Sequence, residues 1–354
     1  IKYGNQLRYN FEDPSILAIA SIFQISNDRK KEIKRNDRYG YEKRAYVIHQ
    51  FKRREEVDLL RAIYGNLFTQ ISIYSRKENR IEYVAKKIAS DESSADIGRF
   101  RPKAEALINR DQDEVGKPYG QRISKIFHDA DLIINDDIDA PSPREQVRRF
   151  LELQFSSNSI SPSKMEYGMF SAKSAALRTL DLSRQVGAAI FQETGEIISM
   201  GSNEVPKAGG GTYWSGGKYD DREYKRGVDS NDERKLEILK EIYRDIGNIV
   251  EIPMTFDDFK RSEGIKNSRF MDALEYGRII HAEMAAITDA ARLGRKVEGS
   301  VLFCTTFPCH MCAKHILASG VKSVVFLEPY PKSLTSDLHS DSIEVEGSDR
   351  GRYE

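Results

Sequence analysis

Two short clusters constrain this chain more than any other feature: His281-Ala282-Glu283 and, further on, Pro308-Cys309-His310-Met311-Cys312. Two cysteines three positions apart at a helix start can aim both sulfurs at one point, and the positive end of the helix dipole favours their thiolate form. A zinc ion takes four tetrahedral donors, and a catalytic zinc leaves one of the four positions to water. His281, Cys309 and Cys312 supply three, so the fold must bring an imidazole to a distant pair of sulfurs. Glu283 is two residues from His281, and on the body of an ideal helix the two would point apart. At the first turn both can reach the same ion, His281 as ligand and Glu283 as a base. Zinc at +2 with two thiolates and a neutral imidazole has no net charge, so it acidifies water less than a zinc held by three neutral histidines. A separate proton acceptor is then needed, and that work falls to Glu283.

Each cluster alone is weak. An isolated H-x-E arises often by chance, and an isolated C-x-x-C is at least as often a redox pair or half of a structural zinc site. Together and in this order, one opening a helix and the other following a strand and a proline, they form the H-x-E…P-C-x-x-C pattern of zinc nucleobase deaminases. A purely structural zinc would want a fourth protein ligand, and His310 and His315 are the nearby candidates. Both read as facing solvent or packing within their helix. Cys304, inside the preceding strand, reads as a small buried core residue.

At 354 residues the chain predicts two domains. Strand signals at Arg44–Phe51, Leu67–Tyr74 and Asp131–Asn135 alternate with helical spacing at Arg53–Tyr64, Ile81–Ala89 and Glu145–Phe155, which predicts a parallel α/β sheet. Ile16–Phe23 reads as a buried helix and Ser90–Pro118 as a polar loop. The Ser-rich, uncharged stretch 156–163 is the best linker and separates a domain over 1–155 from one over 163–335. The second domain opens with a helix over Ser163–Leu182. A hairpin follows, with strands at Gln185–Phe191 and Glu196–Met200. Residues 206–269, with the tract Gly209–Gly217 and a helix near Arg234–Tyr243, read as an insertion. Regular order returns with a helix over His281–Leu293, a strand over Ser300–Thr305, a helix from Cys309 to Ser319 and a strand over Lys322–Leu327. A polar tail occupies 336–354.

Charge weighs against one class of partner, though it leaves room for a local basic groove. With 55 Lys+Arg against 55 Asp+Glu the formal net charge is +0, which argues against binding nucleic acid through a bulk positive field. Three cysteines make no disulfide framework and suit a reducing compartment. No apolar run approaches the ~18 residues that span a bilayer. The expectation is a cytoplasmic protein. Because the chain opens on Ile1, an upstream segment is also expected.

Residues 163–335 resemble the cytidine and deoxycytidylate deaminase superfamily, particularly its deoxycytidylate (dCMP) branch. The resemblance rests on Ser183-Arg-Gln-Val-Gly-Ala-Ala-Ile190, Gly201-Ser-Asn203, His281-Ala-Glu283 and Thr305-Thr-Phe-Pro-Cys-His-Met-Cys312. It implies a cytidine-deaminase-like α/β/α domain. It further implies that Asn203 hydrogen-bonds the sugar or nearby atoms, and that the Ala282 backbone amide holds the pyrimidine O2. The long insertion after Asn203 departs from the pattern where phosphate would be bound. The N-terminal half resembles the later part of a P-loop nucleoside-phosphate kinase fold, without the phosphate loop. The nearest candidate, Gly217-Lys218, is followed by Tyr219 and lies in the wrong domain. A kinase-like domain joined to such a deaminase resembles bacterial anti-phage dCTP deaminases.

The implied chemistry is hydrolytic deamination of a free deoxycytidine nucleotide, with Glu283 carrying a proton from the attacking water to N3 and then to the leaving amine. The resemblance points to dCTP, drained during phage infection, with an ordinary dCMP deaminase as the alternative. A polynucleotide deaminase would need a positive channel with stacking rings. Tyr213, Trp214, Tyr219 and Tyr224 with Lys218, Arg222, Lys225 and Arg226 could supply one, but Asp220, Asp221 and Glu223 lie among them, and the stretch reads rather as a flexible lid or a contact between subunits. A sensor that only binds nucleotide has no need of a carboxylate beside the ion. A homo-oligomer is implied by the resemblance alone.

Overall fold

The computed structural model describes residues 2–35, 44–114, 116–137, 140–330 and 333–345. They fall into two compact units, Ile1–Ser161 and Pro162–Glu354, with the boundary inside the Ser-rich stretch. No helix among the described residues is long and apolar enough to cross a membrane.

The N-terminal unit comprises α1 (Lys2–Asn10), α2 (Ile16–Arg35), α3 (Arg54–Tyr64), β1 (Ile71–Tyr74), α4 (Lys77–Asp91), α5 (Arg101–Gln112), β2 (Leu132–Asn135) and α6 (Pro143–Gln154). Its sheet, among the described residues, is the parallel pair β1–β2, in register from Ile71 opposite Leu132 to Tyr74 opposite Asn135. Three expectations are corrected here. Arg44–Phe51 is not a strand: it is irregular, and Val47, apolar in sequence, is 93% exposed. The expected loop 90–118 contains α5, whose Ala104 and Ile108 pack on Ile81, Ala85 and Ala89 of α4; the many polar residues around them hid this two-residue seam. The apolar run in α2 is half buried, with Ala18 inside and Phe23 outside. Buried charge also holds this unit together. Arg8, 2% exposed, pairs with the fully buried Glu56 at 2.6 Å.

The C-terminal unit runs α7 (Lys164–Ala176), β3 (Gly187–Phe191), β4 (Ile197–Ser202), α8 (Glu223–Arg226), α9 (Ser230–Gly247), α10 (Phe256–Arg261), α11 (Glu263–Lys266), α12 (Ala282–Arg292), β5 (Val301–Thr306), α13 (His310–Ala318), β6 (Ser323–Glu328) and α14 (Thr335–Leu338). The sheet order is β4-β3-β5-β6; β3 is antiparallel to both neighbours, and β5–β6 is parallel. β3 is buried at every position, as a central strand covered on both faces must be. Ala189, Phe191 and Phe303 on one face pack against Ala172 of α7. Ala188, Ile190, Leu302 and Cys304 on the other pack against α12 and α13. The result is the expected three-layer α/β/α arrangement. The first helix is shorter than expected: α7 starts from a capping box, Ser163 with Glu166, and stops at Ala176. The insertion is mostly helical, and α14 begins the expected tail, whose residues 346–354 lie outside the described set.

Candidate metal centre

The three candidate ligands converge because two helix starts converge. His281 is the N-cap of α12 and Cys309 the N-cap of α13, both with extended backbone, and Cys312 lies in the first turn of α13. β5 runs directly into this cap, and Thr305 Oγ1 accepts from Gly187 N at 3.1 Å, tying the strand end to β3. Gly201 of β4 fixes α12 from below: a methyl group there would overlap Ala282 O and Ala286 N. Ser199 Oγ adds a hydrogen bond to Ala286 O at 2.8 Å.

His281 Nδ1 lies 3.3 Å from Cys309 Sγ and 3.4 Å from Cys312 Sγ. Zinc at ~2.05 Å from nitrogen and ~2.3 Å from sulfur in a tetrahedron would set these separations at about 3.6 Å, so the cradle needs to open by only a few tenths of an ångström. One nitrogen and two sulfurs are also the donor set that a soft to borderline ion selects. Among the described residues no fourth His, Cys, Asp or Glu joins the group. His310 is directed to Glu275, Nε2 to Oε1 at 3.2 Å.

Electrostatics divide the two thiols. The hydrogen bond from Cys312, against the opposing effect of burial and helped by His281, lowers the Cys309 pKa; the same hydrogen bond and burial push Cys312 well up. The pair therefore shares one proton, which a cation would displace. Burial pulls the His281 pKa down, but Cys309, Glu283 and Asp181 outweigh it and raise the value. Glu283 is 4% exposed, and burial raises its pKa. A carboxylate so desolvated is a stronger base than one in water. Cys304 is fully buried beside it, as expected of a core thiol.

The other two predicted residues lie on the same side of the unit. Ala282 is fully buried at the first position of α12, where the backbone N–H has no intrahelical carbonyl to meet. Asn203 is buried, and both amide hydrogens are committed within the chain, to Asp181 Oδ2 and Arg184 O at 2.7 Å each. Its Oδ1 accepts from Val186 N at 2.7 Å. Asn203 thus fixes the 181–186 loop and retains one lone pair on Oδ1 for a ligand. Sequence reasoning missed Asp181, which holds this amide and bears on His281. Its signal was the Asp-x-Ser turn, since Ser183 N donates to Asp181 Oδ1 at 2.7 Å.

Residues 162–328 match the family model for the cytidine and deoxycytidylate deaminase zinc-binding region. The deoxycytidylate deaminase of Enterobacteria phage T2 is 48% identical over 54 residues, 15% of this chain and 29% of the phage protein. ComE operon protein 2 of Bacillus subtilis (strain 168) is 40% identical over 53 residues, 15% of this chain and 28% of that protein. Human deoxycytidylate deaminase is 26% identical over 180 residues, 51% of this chain and 68% of the human protein. The chain therefore spans under a third of the length of the phage and Bacillus relatives. Among solved structures, the dCMP deaminase of cyanophage S-TIM5, crystallised with dCMP and dUMP, covers 51% of this chain and 93% of its own at 21% identity, with a TM-score of 0.30.

Proposed function

We propose that the C-terminal unit, whose residues 162–328 match the model of the cytidine and deoxycytidylate deaminase zinc-binding region, removes the amino group from the cytosine of a free deoxycytidine nucleotide by hydrolysis. The observation that carries this reading is the cradle itself, with His281 Nδ1 at 3.3 and 3.4 Å from two sulfurs and the buried Glu283 beside it. His281, Cys309 and Cys312 would hold the zinc, which supplies the Lewis acidity that makes water nucleophilic. Glu283 takes one proton of the attacking water and passes it to N3 as C4 becomes tetrahedral; it then takes the proton of the new C4 hydroxyl and delivers it to the amine, so that ammonia leaves as the C4 carbonyl forms. In this reading the Ala282 amide donates to the pyrimidine O2, and Asn203 Oδ1 uses its second lone pair to accept from a sugar hydroxyl.

The sequence resemblance favours dCTP, converted to dUTP in an anti-phage role. The names of the T2 and human relatives favour dCMP. Purified protein given dCMP, dCTP and CTP side by side separates the two. Turnover of dCMP alone overturns the triphosphate reading, and turnover of none overturns both. Oligonucleotides are a poorer fit, because two of the arginines among the insertion's aromatic rings are taken up by acids, Arg222 by Asp220 and Arg226 by Asp221. We read the N-terminal unit as a kinase-like relic, with the parallel β1–β2 pair and intervening helices in support. A cytoplasmic homo-oligomer completes the proposal, and light scattering on the purified protein tests the oligomer.

A further inference from the structure

Glu204 follows Asn203 and closes one end of the insertion. Its backbone pairs with Ile280 in both directions at 3.2 Å, and His281 is the next residue along the chain. Its side chain is 1% exposed; Oε1 accepts from Val205 N at 3.0 Å and Oε2 from Leu180 N at 3.1 Å. Leu180 in turn precedes Asp181, the partner of Asn203. A single buried carboxylate therefore joins the backbone leading to His281 with the loop that carries Asp181.

Two neutral donors do not compensate a buried negative charge. A cation close to it comes from the insertion. Arg222, 1% exposed, places Nη1 3.6 Å from Glu204 Oε2. Its Nε and Nη2 each meet one oxygen of Asp220 at 2.8 Å, and the Tyr224 hydroxyl donates to that same Asp220 at 2.7 Å. Arg178 lies within the field of Asp289, Glu204 and Arg222, so it is a second, more distant cation for the same carboxylate.

We propose that Arg222 is a positioning residue for the metal centre: by neutralising the buried Glu204 it fixes the Glu204–Ile280 bridge, and with it the backbone that presents His281. The insertion then helps to build the site. The inference rests on His281 being a ligand, and not on which nucleotide is the substrate.

Cobalt(II) titration of the metal-stripped full chain tests it, because the visible spectrum of bound cobalt reports ligand geometry directly. Arg222→Met is expected to bind cobalt at least about tenfold more weakly with an altered spectrum, the size of effect seen when partners behind metal ligands are removed. Arg222→Lys, which keeps the charge and loses the fork, should lose less. Adding Glu204→Gln to Arg222→Met removes the stranded charge and should restore part of the affinity. Wild-type affinity and spectrum in Arg222→Met overturn the proposal, as does a double variant no better than the single one. If Arg222→Met is insoluble, Arg222→Lys decides, and wild-type cobalt binding in it is the overturning result. Deamination assays on the same wild-type protein keep the two readings apart, since absent turnover counts against the substrate reading and leaves the cobalt result standing.

Discussion

The C-terminal unit contains two regions held together by different physics. The core that presents His281, Glu283, Cys309 and Cys312 is closed by small residues in direct contact. Gly187 meets the backbone of α7, Gly201 meets the backbone of α12, and Ala188, Ala282 and Ala286 fill the space between. The insertion is held by charge and hydrogen bonds instead: Arg222 with Asp220, Arg226 and Arg278 with Asp221, Ser183 with Asp229, and Asn231 with Ala273 O and Tyr276 N. Steric closure fixes geometry to tenths of an ångström and does not respond to pH or salt. Polar closure is softer and responds to both. A metal centre needs the first kind of support on its ligand side. The second kind suffices for an element that approaches it from outside.

The largest expected effect breaks the core side outright. Cys312→Ser replaces a proposed, buried sulfur ligand with a poor donor, so zinc content measured by emission spectroscopy should fall to background. Turnover and thermal stability should fall with it, because binding energy at such a site is also folding energy. A variant that kept stoichiometric zinc would remove Cys312 from the ligand set. Glu283→Gln is expected to act on chemistry alone. Zinc content should stay at the wild-type level while kcat falls by roughly 10²–10⁴, the usual worth of a general acid–base. If kcat fell less than tenfold, proton transfer would have to be assigned elsewhere.

Gly201→Ala sharpens the comparison, because it adds one methyl group and touches no ligand. That methyl has no free volume: it overlaps Ala282 O and Ala286 N at the first turn of α12. Overpacking of this kind costs ~1–3 kcal/mol, or a melting temperature lower by roughly 2–4 °C per kcal/mol in a unit of this size. Metal affinity should drop as well, since the displaced turn carries His281 and Glu283. The same exchange at Gly264, which has nothing within 4 Å, should leave both unchanged. Equal effects at the two positions would show that packing under α12 is not what holds the site.

How much of this was legible in the sequence follows the same division. Small-residue closure leaves a strong trace. Val186-Gly-Ala-Ala-Ile190 and His281-Ala-Glu-Met-Ala-Ala286 are dense, local and tied to chain direction, so strands, helices and ligand convergence could be read nearly to the residue. Even the caps were visible, since His281 and Cys309 fell at predicted helix starts. Charge closure leaves almost none. That Arg222 would turn inward to Glu204, and not outward to solvent, depends on a pairing across the fold that no periodicity encodes. In sequence it reads as one cation of a candidate outward-facing channel with Lys218, Lys225 and Arg226. Asn203 was singled out as a substrate contact, and its commitments to Asp181 and Arg184 were not foreseeable, because they arise from a loop folding back. In the N-terminal unit the failure was of another kind. Arg44–Phe51 has strand composition, yet no strand among the described residues pairs with it and most of its residues are exposed, and propensity without pairing and burial does not make a strand.

The smallest expected effect probes the polar side by pH. Asp220 is held well below the usual carboxylate range by its hydrogen bonds from Arg222 and then Tyr224, against a smaller opposing effect of burial. A carboxyl group with a depressed folded-state pKa contributes its full stabilisation above its unfolded value, ~3.9 for aspartate, and loses it as pH falls from there through the folded value. The insertion should therefore be insensitive to this group from neutral pH down to about 4 and loosen below that. Trp214 is a built-in reporter: it is the single tryptophan of the chain, it lies in the insertion, and Arg178 stacks 3.5 Å from its ring centre. Its emission in the metal-stripped protein should hold steady to about pH 4 and change below it. In Asp220→Asn, emission at pH 7 should already differ, with the acid change correspondingly reduced. Metal-stripped protein is used so that protonation of the ligand cysteines and histidine does not enter through zinc release, and those groups are common to both proteins in any case. Superimposable profiles for the two proteins would mean that the Arg222–Asp220 pair does not hold the insertion, and that its attachment is carried by the α9 contacts to the 273–276 backbone instead.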